Sequence, residues 1–155
     1  MLVSNRRAWK HEITAPLRRV ARVLLADSDL ASRLALKTLL ATAGYAVECA
    51  ASASEAIARL DTSEYQLVLA DLRTESDESG ARLLAYARQK EFRPATALIS
   101  SKLSEMDSGN GDCEAVSGGG VVRMSNENVS YLLARVADLI SRRADRRMRI
   151  LSRAC

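Results

Sequence analysis

The chain has 155 residues, 48% of them hydrophobic and 27% charged, with a formal net charge of +4. That length suits one domain with a real core, and no apolar run reaches the roughly 18 residues of a membrane span. The basic N-terminus has no apolar stretch behind it, so no secretion signal is read and the cytoplasm is expected. Cys49, Cys113 and Cys155 show no CxxC spacing, which speaks against a disulfide framework or a zinc site. The single histidine, His11, lies among polar residues and reads as solvated. Charge is unevenly spread: residues 22–140 carry 12 basic and 17 acidic side chains, whereas the flanks hold 11 basic residues against Glu12 and Asp145. A basic tail of this kind can meet nucleic acid or lipid without the domain doing so.

In chain order, residues 1–21 read as a basic arm with Arg6, Arg7, Lys10, Arg18 and Arg19. Val23 to Ala26 form a short continuous apolar run ending at Asp27, the signature of a strand buried on both faces. Leu30, Leu34, Leu36, Leu39 and Leu40 then give a helix an apolar face, and Gly44 stops it. Tyr45 to Cys49 reads as a second strand. Ala56, Ile57 and Leu60 mark a short helix that Ser52 or Ser54 could cap. Gln66 to Ala70 is a third strand ending at Asp71, and Gly80 precedes a helix with Leu83, Leu84 and Ala87 on one side. Ala95 to Ile99 is a fourth strand ending at Ser100.

Residues 101–120 are rich in Ser, Gly, Asp and Asn, so a helix there would be short or frayed. Val121 and Val122 offer a minimal fifth strand. The last helix is the clearest: Val129, Leu132, Leu133, Val136, Leu139 and Ile140 keep helical spacing, with Ser125 as a plausible cap. Its stripe extends through Ala144, Met148 and Leu151 along an arginine-rich end (Arg142, Arg143, Arg146, Arg147, Arg149, Arg153) that reads as a solvated face. Strand and helix alternate five times, which implies an α/β fold with a parallel sheet and helices on both faces. Ligands bind such sheets outside the carboxyl ends of the strands, where Asp27, Asp71 and Ser100 fall.

These segments together resemble a response regulator receiver domain. Arg22-Val-Leu-Leu-Ala-Asp-Ser-Asp29 is similar to its opening strand, and Tyr65-Gln-Leu-Val-Leu-Ala-Asp71-Leu-Arg to its third strand with the phosphoacceptor. Ala97-Leu-Ile-Ser100-Ser matches the fourth strand with its hydroxyl residue, and Val121-Val-Arg123 falls where the family has a lysine. The spacings fit: 44 from Asp27 to Asp71, 29 on to Ser100 and 23 on to Arg123. The resemblance implies a doubly wound, flavodoxin-like (βα)5 fold with strand order 2-1-3-4-5. It divides the chain into the arm (1–21), a receiver-like domain (22–142) and an arginine-rich C-terminal extension (143–155).

It also implies chemistry. Asp71 would accept a phosphoryl group as an acyl phosphate. Mg2+ would be held by Asp27, Asp71 and the backbone carbonyl of Arg73, with Asp29 as a further candidate ligand. Ser100 and Arg123 would contact the phosphoryl group. The phosphodonor would be a histidine kinase or phosphotransfer protein, and the signal would pass to a downstream protein partner, with the final helix an option for homodimerisation. No enzymatic turnover, membrane partner or nucleic-acid partner is expected.

The chain departs from the family at Ser28, where a second acid is usual, at Arg123 for lysine, at Met124 for the following proline, and at Gly120 for the aromatic switch residue. These departures favour an alternative: a pseudo-receiver that docks partners without phosphorylation. Asp27, Ser28 and Asp29 could also simply cap a helix. Two further readings carry less weight. Asp27-Ser28-Asp29 is similar to the DxD of haloacid-dehalogenase-type phosphatases, but the glycine and threonine that usually follow are absent. Nucleic-acid binding through the basic ends would be non-specific and salt-dependent, and the chain is poor in aromatics for a stacking platform.

Overall fold

The structure is a computed structural model that describes residues 20–71, 77–100, 122–125 and 128–154. Strand β1 (Arg22–Ala26) leads into helix α1 (Leu30–Thr42), then β2 (Ala46–Ala50) and α2 (Ala53–Thr62). Next come β3 (Leu67–Asp71), α3 (Asp77–Arg88), β4 (Ala95–Ser100), β5 (Val122–Ser125) and the long α4 (Val129–Arg153). The five strands form one sheet in the order β2-β1-β3-β4-β5, and every neighbouring pair is parallel.

The continuous apolar runs are explained by burial on both faces. In β1, Val23 and Leu25 join one core cluster while Leu24 and Ala26 join the other. In β3, Leu67 and Leu69 alternate with Val68 and Ala70 in the same way. Leu36 and Leu40 of α1 and Leu132 and Val136 of α4 cover the first face. Ala56 and Leu60 of α2 and Leu83, Leu84 and Ala87 of α3 cover the second. Each fully buried leucine contributes roughly 1.5–3 kcal/mol, so the three layers hold together through these side chains.

Helix ends follow local chemistry. Asp29 caps α1, Ser52 caps α2 and Asn128 caps α4, each accepting a backbone N–H three residues on. The chain leaves α1 through Gly44, whose φ of +102° an L side chain rarely adopts. The cap expected at Ser125 is corrected, since that residue belongs to β5. Gly80 lies inside α3 rather than before it. A Cβ there would stand 3.3 Å from Leu98 Cδ2 and 3.7 Å from the Asp71 carbonyl oxygen, so its bareness lets the helix approach β3 closely. Leu30 and Leu34 are exposed, outside the apolar face assigned to them. Leu34 lies two residues before Leu36, which turns it about 200° away from the core.

The arginine-rich end also differs from expectation. Helix α4 runs without a break to Arg153, and Arg143 is buried. Its Nη2 and Nε donate to the carbonyls of Phe92 and Arg93 at 2.6 and 3.0 Å, and Arg147 reaches the Phe92 carbonyl at 3.4 Å. Met148, Ile150 and Leu151 beyond it are exposed. No helix among the described residues is long and apolar enough to cross a membrane.

Candidate functional site

Parallel pairing sets two acids side by side. Ala26 of β1 is in register with Ala70 of β3, so the next residues, Asp27 and Asp71, lie at adjoining carboxyl ends. Both side chains are 1% exposed. Few aspartates are buried so fully without a charged or hydrogen-bonded counterpart, because desolvating a carboxylate is costly.

Asp27 is held from three directions. Its N–H donates to the Ala50 carbonyl at 3.0 Å, which carries the β1–β2 pairing one residue further. Its Oδ1 accepts from the Asp29 N–H at 2.9 Å. Its carbonyl accepts from Arg33 Nη1 at 2.8 Å. Oδ2 is buried and has no hydrogen-bond partner among the described residues. An anionic oxygen left this way is suited to a cation. Carboxylate oxygens are hard donors, which favours Mg2+ or Ca2+ over softer metals. The residues present therefore fit a Mg2+ ion, which Asp27 and Asp71 would hold. No group of three or more His, Cys, Asp or Glu side chains gathers as a metal site among the described residues.

The remaining candidates are placed by the backbone. Asp71 pairs with Ile99, so Ser100 sits one step further along β4 at the same edge of the sheet. Arg123 pairs with Leu98 on β5, close to that edge. Asp29 is exposed and its Oδ2 accepts the Ser32 N–H at 3.2 Å, which ties that carboxylate to the helix cap. Arg73, expected to lend a carbonyl, and Gly120 lie outside the described residues, as does the 101–120 segment.

Arg33 is the contact that sequence reasoning did not single out. Its signal is its place six residues after Asp27, in the first turn of α1, from where a long side chain reaches back to the strand end. Nearby Cys49 is partly buried, and burial pushes its thiol up from the ordinary cysteine range; Lys37 and Arg33 pull the other way. That keeps the thiol protonated and out of nucleophilic chemistry near neutral pH.

Comparison with known proteins agrees with this architecture. The family model for the response regulator receiver domain matches residues 23–111, more than half of the chain. A response regulator from Thermotoga maritima is 26% identical, with a TM-score of 0.60 over 79% of this chain and 98% of that one. A CheY-like receiver domain protein from Methanospirillum hungatei JF-1 is 20% identical, with a TM-score of 0.64 over 82% of this chain and 98% of that one. CheY4 of Vibrio cholerae is 22% identical, with a TM-score of 0.60 over 77% and 98%. No curated protein sequence matches significantly. With the family matched in sequence and its sheet order reproduced strand for strand, the chain belongs to the response regulator receiver domains.

Proposed function

We propose that this receiver accepts a phosphoryl group on Asp71 and signals through protein contacts rather than by turnover of a substrate. The observation that carries the reading is the buried Asp27–Asp71 pair at adjoining strand ends, with Oδ2 of Asp27 left without a hydrogen-bond partner among the described residues. A structural aspartate would be expected to satisfy both oxygens or to sit in water.

Receiver domains generally bind Mg2+ and interact with kinases and effectors. Mg2+, when bound, supplies the positive charge that lets a carboxylate and a phosphoryl group approach. The rest falls to the chain. A carboxylate oxygen of Asp71 attacks phosphorus of a phosphohistidine on a histidine kinase or phosphotransfer protein. The new P–O bond forms as the P–N bond breaks, and the leaving imidazole takes a proton. Ser100, at that edge, and Arg123, two residues before the end of β5, are assigned to hydrogen-bond the transferred group. The added charge would then bias contacts with a downstream partner or a second copy. The cytoplasm, where such donors act, is the compartment this reading assigns.

A second reading has its own support. Ser28 replaces the usual second acid and Asp29 is spent on the α1 cap, so cation affinity would be reduced. A receiver weakened this far would dock its partners unmodified.

Intact-mass measurement after incubation with Mg2+ and a small acyl-phosphate donor separates the two. A labile, Mg2+-dependent phosphoryl adduct is expected on the wild type and absent from Asp71→Asn. Equal labelling of both proteins would refute the assignment of Asp71. No adduct on a folded wild type would favour the docking reading.

A further inference from the structure

The first turn of α1 carries a positive charge to which phosphoryl transfer assigns no role. Arg33 Nη1 donates to the Asp27 carbonyl at 2.8 Å. Carbonyl and carboxylate belong to one residue, so bond lengths alone hold the guanidinium within about 7 Å of the Asp27 carboxylate. Asp27 is buried and Arg33 half-buried, so solvent screens the two charges less than at an open surface. The charge is felt elsewhere at this end of the sheet. Arg33 adds to the groups holding the Glu55 carboxyl below its usual range, chiefly the Ala51 N–H, and it opposes the rise of the Cys49 thiol.

Two effects then act together on one aspartate. The Arg33 and Asp29 N–H groups fix its backbone and Oδ1, which aims Oδ2. The fixed positive charge competes with any cation that Oδ2 would meet. We propose that Arg33 is a positioning residue that holds Asp27 in place and whose charge restrains the affinity of the carboxylate pair for a divalent cation. The inference rests on reading Asp27 and Asp71 as a cation-assisted site. It goes beyond that reading by naming the residue that sets how much cation the site needs.

The test is Mg2+ titration of the full chain by isothermal calorimetry, with the Mg2+-induced thermal shift as a second readout. Arg33→Gln removes the charge but can still donate a hydrogen bond, and is expected to bind Mg2+ roughly three- to tenfold more tightly. Arg33→Lys keeps the charge and should stay within about twofold of wild type. Lys37→Gln removes an exposed charge one turn further along α1, and should also stay within about twofold. Asp27→Asn should bind Mg2+ much more weakly. If Asp27→Asn loses binding while Arg33→Gln is unchanged or weaker, the proposal falls and the site reading stands. If Arg33→Lys tightens as much as Arg33→Gln, charge is not the cause and the proposal falls. If neither wild type nor Arg33→Gln binds Mg2+, both readings fall together.

Discussion

The two ends of the sheet treat polar groups differently. At the amino-terminal side, charge is matched. Arg22 and Tyr65 hold Glu48, Lys90 and Tyr86 hold Asp61, and Arg143 is held by the carbonyls of Phe92 and Arg93. At the carboxyl side, Asp27 is almost as deeply buried as the core leucines, yet one of its oxygens has no hydrogen-bond partner among the described residues. Both ends were built by the same parallel pairing, so topology does not account for the contrast. At one end the acids are paired with cations or hydroxyls, and at the other a buried carboxylate oxygen is left without a hydrogen bond among the described residues. An unsatisfied buried group in a native fold calls for an explanation.

The largest break in this contrast is expected at Arg143. Its guanidinium clasps a loop in which Arg93 has φ of +39°, a left-handed conformation that costs a non-glycine residue energy. Burial pushes the guanidinium down from its ordinary value, with Arg147 adding to this and Glu64 opposing it. Arg143→Met would fill similar space but take a donor from each of two carbonyls, leaving that of Phe92 with the longer contact from Arg147. A loss of about 2–4 kcal/mol in urea unfolding is expected, with Asp71 labelling unchanged. A loss below about 0.5 kcal/mol would show that water replaces the arginine and that this end is not organised around it.

At the opposite end the sign should reverse. Asp27→Asn keeps Oδ1 for the Asp29 N–H and removes a buried charge. Without Mg2+, thermal unfolding should show a gain of about 1–2 kcal/mol, and added Mg2+ should no longer raise the midpoint. A variant less stable than the wild type in chelator would mean that Asp27 serves the fold, and the contrast between the two ends would be lost.

How much of this was legible in sequence follows from range. The strand core and the acids at strand ends could be read, because a strand buried on both faces leaves a continuous apolar run and its end leaves an acid. Strand order came through family resemblance, since local patterning carries no information on which parallel strands adjoin. Arg33, Arg143 and Asn128 were missed for different reasons. Arg143 sits among six other arginines of one helix, and only the position of the loop at Phe92 distinguishes it. Arg33 acts through a backbone carbonyl, which no side-chain motif records. Asn128 was not read as the cap and Ser125 was, because either type can cap and the choice depends on where β5 ends. Leu30 and Leu34 mislead for the opposite reason: their spacing is helical, but the line they follow faces outward.

The smallest effect sharpens the contrast through pH. Hydrogen bonding from Tyr65, aided by Arg22 and Arg59, outweighs desolvation and holds the Glu48 carboxyl below its usual range. The same contact, after burial itself, pushes the Tyr65 hydroxyl up to about 12. A carboxyl lowered in the folded state contributes stability above its unfolded value near 4.5, and this is lost as pH falls through the lower folded value. Glu48 is more than a third exposed, so solvent screening limits the contribution to about 0.5–1 kcal/mol. Glu48→Gln should therefore cost that much at pH 7 and progressively less in acid, while Asp71 labelling at pH 7 stays at the wild-type level. The measurement is paired urea unfolding of wild type and variant at pH 7 and at about pH 3. A difference that persists unchanged into acid would show that Glu48 acts through packing instead of charge, and the amino-terminal side would then owe less to matched ion pairs than its geometry indicates.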